Sequence, residues 1–238
     1  MRTVEQMILG TLLGDGSMSY SGGKNPRYRV NHSSKQEAYV LVKYSVLQHL
    51  VRTPPRIYTN HGHGKFSARF ETLSSPFLKE YHDLCYSNGG KKLVTKEWLD
   101  RLTPEGIAYW YMDDGGLCAN LMKISTNSFS VPEQELLVNK LQEYGITPSI
   151  VPSKGKYHIL VFNSENRDKF VDLIKPYIIP EMLYKIDVPI VNKDCEVCGT
   201  PFTSNQINKL TCSIECGYEM KVKKISARRK RNRELEKK

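Results

Sequence analysis

The alternation of apolar and polar positions describes one order of elements twice. Residues 4–14 are helical in pattern, and the helix stops at Asp15-Gly16. Strand-like stretches follow near 17–21 and 27–32. The periodic run 35–51 (Ala38, Leu41, Val42, Ser45, Val46) predicts a second helix. Two more strands near 56–60 and 65–72 are joined by the glycine-rich turn 61–64, and a helix over 75–86 closes the half. The scheme then repeats. A helix from Pro104 ends at Asp114-Gly115-Gly116, strands fall near 117–119 and 122–127, and Pro132 opens a helix to about Tyr144. A hairpin over 149–162 turns at Ser153-Lys154-Gly155-Lys156, and a helix over 165–175 follows. The expected fold is α+β: two pseudo-twofold-related α-β-β-α-β-β-α halves, 1–87 and 103–191, with a linker at 88–102.

Both leading helices end in Asp-Gly, about a hundred residues apart. A carboxylate there meets the negative end of the helix dipole and costs stability. One instance is an ordinary turn dipeptide. Two at equivalent points suggest a compensating cation. Gly10 and Gly14 share a helix face, which lets a second helix approach closely. Packing the two helices would gather Asp15, Asp114 and free carbonyls into a hard-oxygen pocket suited to Mg2+.

Ile8-Leu9-Gly10-Thr11-Leu12-Leu13-Gly14-Asp15-Gly16 resembles the first motif of LAGLIDADG homing endonucleases. Tyr109-Trp110-Tyr111-Met112-Asp113-Asp114-Gly115-Gly116 resembles the second motif in the form found in the monomeric, two-motif members. The resemblance extends over about residues 5–188, through Ile124–Ser130 and Ile174–Lys185, and is strongest in the second half. The first motif departs from the consensus at Thr11 and Leu13, neither of which is the ligand slot. The resemblance implies a fold packed through the motif helices and metal-dependent double-strand cleavage of a specific DNA site, with Asp15 and Asp114 holding Mg2+. It gives Asp113 no ligand role. It also implies a catalytic lysine before the second motif and another after the last helix, matched by Lys92 and Lys185, with Lys91 open as an alternative to the former. Intron RNA is a second possible partner, because related maturases assist splicing on the same fold; a DNA-binding protein without cleavage is a third reading. The motifs begin near Met1, so an intein is not expected.

A DNA-reading surface is expected on the strands. Alternation puts Arg27, Arg29 and Asn31 on one face, opposite Tyr28 and Val30, and puts Arg69 with Ser67 and Glu71, opposite Phe66, Ala68 and Phe70. Arg56, Lys65, Lys123, Lys154 and Lys156 add to the candidate DNA contacts. Arginine suits guanine and asparagine suits adenine in the major groove; a merely solvated sheet face would show the same alternation.

Composition changes the picture at the C-terminus. Of a net charge of +10, residues 217–238 carry +7. The spacing Cys195-x2-Cys198-x13-Cys212-x3-Cys216 offers four thiolates for one structural Zn2+, with disulfides as the alternative. A zinc module over 192–217 and a basic tail over 218–238 are therefore expected, with Arg228, Arg229 and Arg231 on DNA phosphates. No run of about 20 apolar residues and no signal pattern is present, so an intracellular, membrane-free protein is the expectation, and the resemblance to the two-motif members implies a monomer.

Overall fold

The structure, a computed structural model, describes residues 3–60, 65–86, 90–118, 121–187, 191–204 and 209–235. The predicted turn at 61–64 lies outside the described residues, as do the side chains of Lys65, Arg229 and Arg231. The chain forms two units, 1–187 and 188–238.

In the first unit the helices apolar on every side become its centre. α1 (Val4–Leu13) is buried from Gln6 to Leu13, and α5 (Pro104–Asp114) from Glu105 to Asp113. They pack on each other through glycine. A Cβ added at Gly10 would stand 2.0 Å from the Gly106 carbonyl oxygen, and one at Gly14 would stand 2.4 Å from the Asp113 Cβ. Any larger residue at either position would force the backbones apart. The helix starts are tied as well. The Gln6 side chain accepts from the Thr103 N–H at 2.8 Å and donates to the Arg101 carbonyl at 2.9 Å, while Glu105 accepts from both Thr3 donors at 3.0 Å.

Each motif helix feeds a four-stranded antiparallel sheet. The first half continues with β1 (Ser17–Tyr20), β2 (Pro26–Ser33), α2 (Glu37–Leu47), β3 (Arg56–Asn60), β4 (Lys65–Glu71) and α3 (Pro76–Cys85). After α4 (Lys96–Asp100) and α5, the second half has β5 (Gly115–Cys118), β6 (Leu121–Ile124), α6 (Val131–Gln142), β7 (Ser149–Ser153), β8 (Tyr157–Phe162) and α7 (Ser164–Ile174). The sheet orders are β1-β2-β4-β3 and β5-β6-β8-β7, so the duplication read from the sequence is present in the strand pairing. One face of each sheet joins the core: Tyr28, Val30, Ala68 and Phe70 in the first, Met122, Ile124, Leu160 and Phe162 in the second.

Two local expectations change. α2 turns Tyr39, Val40, Lys43 and Leu47 inward, whereas Leu41 and Ser45 of the predicted run are exposed. The segment 88–102 is not a bare linker. Within it α4 buries Trp98 and Leu99, and the next residue, Arg101, donates to Glu5 at 2.6 and 2.9 Å and to Glu80 at 2.6 Å.

The second unit contains the antiparallel pair β9 (Val191–Asp194) and β10 (Pro201–Ser204) and the long α8 (Ile214–Leu235). Among the described residues, no helix is long and apolar enough to cross a membrane.

Candidate active site and nucleic-acid face

The C-terminal ends of α1 and α5 build the site. A helix leaves its last carbonyls without partners inside the helix, and here two lysines reach them, one from the segment before α5 and one from beyond α7. Lys92 donates to the Gly14 carbonyl at 2.7 Å. Lys185, buried at the end of the 3-10 helix Pro180–Lys185, donates to the Asp113 carbonyl at 2.9 Å and to that of Met112 at 2.5 Å. Gly14 and Asp113 immediately precede Asp15 and Asp114, so the two arrangements correspond.

The two acids differ in surroundings. Burial pushes the Asp114 carboxyl up, and the Asp15 and Asp113 charges push it further, to about 7 despite Lys92 and Lys185. A carboxyl held in this state gains most from a bound cation. Burial also acts on Asp15, but the His32 hydrogen bond and charge, with Lys43 and Lys185, outweigh it and hold Asp15 below the usual carboxylate value. His32 Nδ1 lies 3.4 Å from the Asp15 carboxylate. Burial pulls Lys43, Lys92 and Lys185 below the usual lysine range against the pull of the three acids.

The carboxylate of Asp113 is fully buried at the middle of this arrangement. It accepts from Lys43 at 2.7 Å, from the Tyr39 hydroxyl at 2.9 Å and from the Asp15 backbone N–H at 3.1 Å. Lys43 also meets His32 Nε2 at 2.8 Å. Asp15, His32 and Asp113 bring one potential ligand atom each within 4.8 Å of the others, whereas Asp114 stands outside that group. Sequence reasoning passed over His32, Tyr39 and Lys43. Their signal was faint: Lys43 lies four residues from both Tyr39 and Leu47, in the buried stripe of α2.

The predicted strand contacts fall on the outer face of the first sheet, away from the core. Arg27, Arg29, Arg56 and Arg69 line an open hollow of about 770 Å3 with Asn31 and Tyr58. Arg29 pairs with Glu71 at 2.7 Å, and the Arg69 guanidinium lies 3.7 Å over the Tyr58 ring. In the second half Lys123 is on the outer face of β6, and Lys154 and Lys156 occupy the β7–β8 turn, where Lys154 and Gly155 have φ of 53° and 64°.

The model of the LAGLIDADG DNA endonuclease family matches residues 5–170. The chain belongs to this family. It is 31% identical over 207 residues to the DNA endonuclease I-ChuI of Chlamydomonas applanata, covering 76% of this chain and 93% of that protein. It is 30% identical over 191 residues to the cytochrome b mRNA maturase bI2 of Debaryomyces hansenii, covering 76% of this chain and 72% of the maturase. It also matches Protein RecA of Mycolicibacterium chitae, 29% identical over 199 residues, but spans only 45% of that protein's length. The solved structure of the homing endonuclease I-WcaI bound to its DNA recognition sequence aligns over 77% of this chain and 85% of its own, with a TM-score of 0.70 and 26% identity.

The four clustered cysteines lie beyond the matched region of this LAGLIDADG protein. Cys195 and Cys198 flank the turn after β9, closed by Gly199 at φ 72° and by its N–H on the Cys195 carbonyl at 2.9 Å. Cys212 precedes α8 and Cys216 sits in its first turn. The Sγ atoms of Cys198 and Cys212 are 3.5 Å apart, and those of Cys212 and Cys216 are 3.8 Å apart. Four thiolates at about 2.3 Å from a tetrahedral ion would stand about 3.8 Å apart. The donor set therefore fits Zn2+. Arg228 is exposed on α8, and Arg229 and Arg231 follow on the same helix.

Proposed function

We propose that this LAGLIDADG protein is a monomeric, two-motif endonuclease that makes a metal-dependent double-strand break at a specific DNA site. The observation that carries this reading is the matched pair of helix ends, each with an acid, a preceding carbonyl and a lysine at that carbonyl. The oxygen-rich donors suit Mg2+, which when bound supplies Lewis-acid activation of water and neutralises charge on the scissile phosphate. Asp15 and Asp114 would hold the cation, next to the Gly14 and Asp113 carbonyl oxygens that accept from Lys92 and Lys185. Lys92 and Lys185 stabilise phosphate charge or polarise water. The first-sheet arginines, Asn31 and Lys65, with Lys123, Lys154 and Lys156, hold and read the duplex. Incubation with a randomised duplex library and Mg2+ tests this: cut ends sharing one flanking sequence are expected, and their absence would overturn the reading. Similarity to a named mRNA maturase favours a second role on intron RNA; splicing assistance retained after loss of cleavage would separate the two.

The second unit acts, in this proposal, as a zinc module followed by a basic helix whose Arg228, Arg229 and Arg231 meet DNA phosphates. Its strands are short, so the metal supplies folding energy. Elemental analysis should find one zinc per chain beyond the catalytic cation. Chelation should unfold residues 188–238 while the fluorescence of Trp98 and Trp110, both in the first unit, stays unchanged. A folded second unit without zinc and with cysteine pairs oxidised would reject the assignment.

A further inference from the structure

The two sheets share a topology but not a chemistry. On the outer face of the first, Asn31, Arg69 and Arg56 form one rung across β2, β4 and β3. Counted from the motif acids, Ser17 pairs with Arg29 as Gly116 pairs with Lys123, so in the second sheet Lys123 and Val161 stand where Arg29 and Glu71 stand in the first. One rung further, Ile159 and Val151 of the second sheet stand where Arg69 and Arg56 stand in the first. Val151 and Tyr157 are 36% and 38% exposed, and Leu121 on β6 is 48% exposed. The first outer face is thus rich in guanidinium groups, and the second in aliphatic and aromatic side chains.

We propose that the two halves read unlike stretches of one duplex: the first sheet a guanine-rich half-site, the second a thymine-rich one. The proposal rests on the endonuclease reading above and adds the composition of its substrate. In the major groove a guanidinium pairs bidentately with guanine O6 and N7. Arg69 stacked on Tyr58 and Arg29 paired with Glu71 are already positioned for such contacts, so less side-chain entropy is lost on binding. Val151, Ile159 and Val161 have no donor to offer. Their favourable partner in that groove is the thymine C5 methyl, and against guanine or cytosine they would strand polar base edges without water. Lys123 in the rung and Lys154 and Lys156 at the hairpin turn surround this apolar face with positive charge. That suits a polyanion better than an apolar protein surface.

The test uses the full-length protein. Sequenced products of the randomised library should show guanine enriched on one side of the cut and thymine on the other, and Arg69→Ala should relax only the guanine-rich side. Replacing contacted thymines with deoxyuracil, which removes only the methyl, should weaken binding about fourfold per methyl in the thymine-rich half. In the other half it should have no effect. Equal guanine content on both sides, or uracil tolerated throughout, would overturn the proposal and leave the endonuclease reading intact. A dimer in solution that Val161→Glu dissolves would give the face to a second copy and also overturn it. A library with neither cut nor bound sequences would remove the endonuclease reading, and this inference with it.

Discussion

Asp15→Asn and Asp114→Asn are each expected to lower cleavage at least about a thousandfold while leaving DNA affinity within a few-fold of the parent. Losing a metal ligand removes several kcal/mol of charge stabilisation in the transition state, and about 4 kcal/mol corresponds to a thousandfold. Affinity should survive because the side chains proposed to read the groove lie on the sheets and not at the helix ends. The two variants should differ in stability. Asp114 sits where burial and two neighbouring acids oppose its charge, so its neutral amide relieves repulsion. Asp15 loses its contact with His32. Gel assays of cutting and of binding, run side by side on one substrate, check this. Full double-strand cutting by either variant would end the assignment of that acid.

The second large effect is expected at Asp113. Asp113→Ala leaves Lys43 fully buried with no carboxylate, and Tyr39 and the Asp15 N–H lose their acceptor. Breaking one side of a buried pair costs about 3–5 kcal/mol, against a total stability of about 5–15 kcal/mol for a typical domain. The paired change Asp113→Leu with Lys43→Met should cost clearly less than either single change, since no charge is then stranded. Urea unfolding followed by tryptophan fluorescence measures this, because Trp98 and Trp110 both lie in the core. If Asp113→Ala unfolds at the same midpoint as the parent, the ion pair does not hold the helix ends together.

The parts of the site set by local spacing were legible in the sequence. Gly10 and Gly14 four apart, and an Asp-Gly at each helix end, declare a close helix crossing with acids beside it, and the structure has that crossing. The hub around Asp113 was not legible. Lys43 and Asp113 are 70 residues apart, and nothing local says that one will be buried against the other. A lysine between apolar residues reads as a solvated side chain until its partner is known. The face of α2 was misjudged for the same reason: Leu41 looks like core, yet the stripe through Lys43 turns inward because a buried carboxylate waits there. The contrast between the sheet faces was visible only once the register had paired Val161 with Lys123 and Ser149.

The packed connection between the halves bears on how such proteins could be recombined. Trp98 and Leu99 of α4 are in the core, and Arg101 reaches back to Glu5 and Glu80 in the first half. Gln6 holds the carbonyl of Arg101 and the N–H of Thr103. A chimera that joined the first half of one family member to the second half of another within this segment would split a set of mutually fitted contacts. The graft that keeps them carries 90–103 along with the first half, as a third piece of the scaffold rather than a tether to be cut.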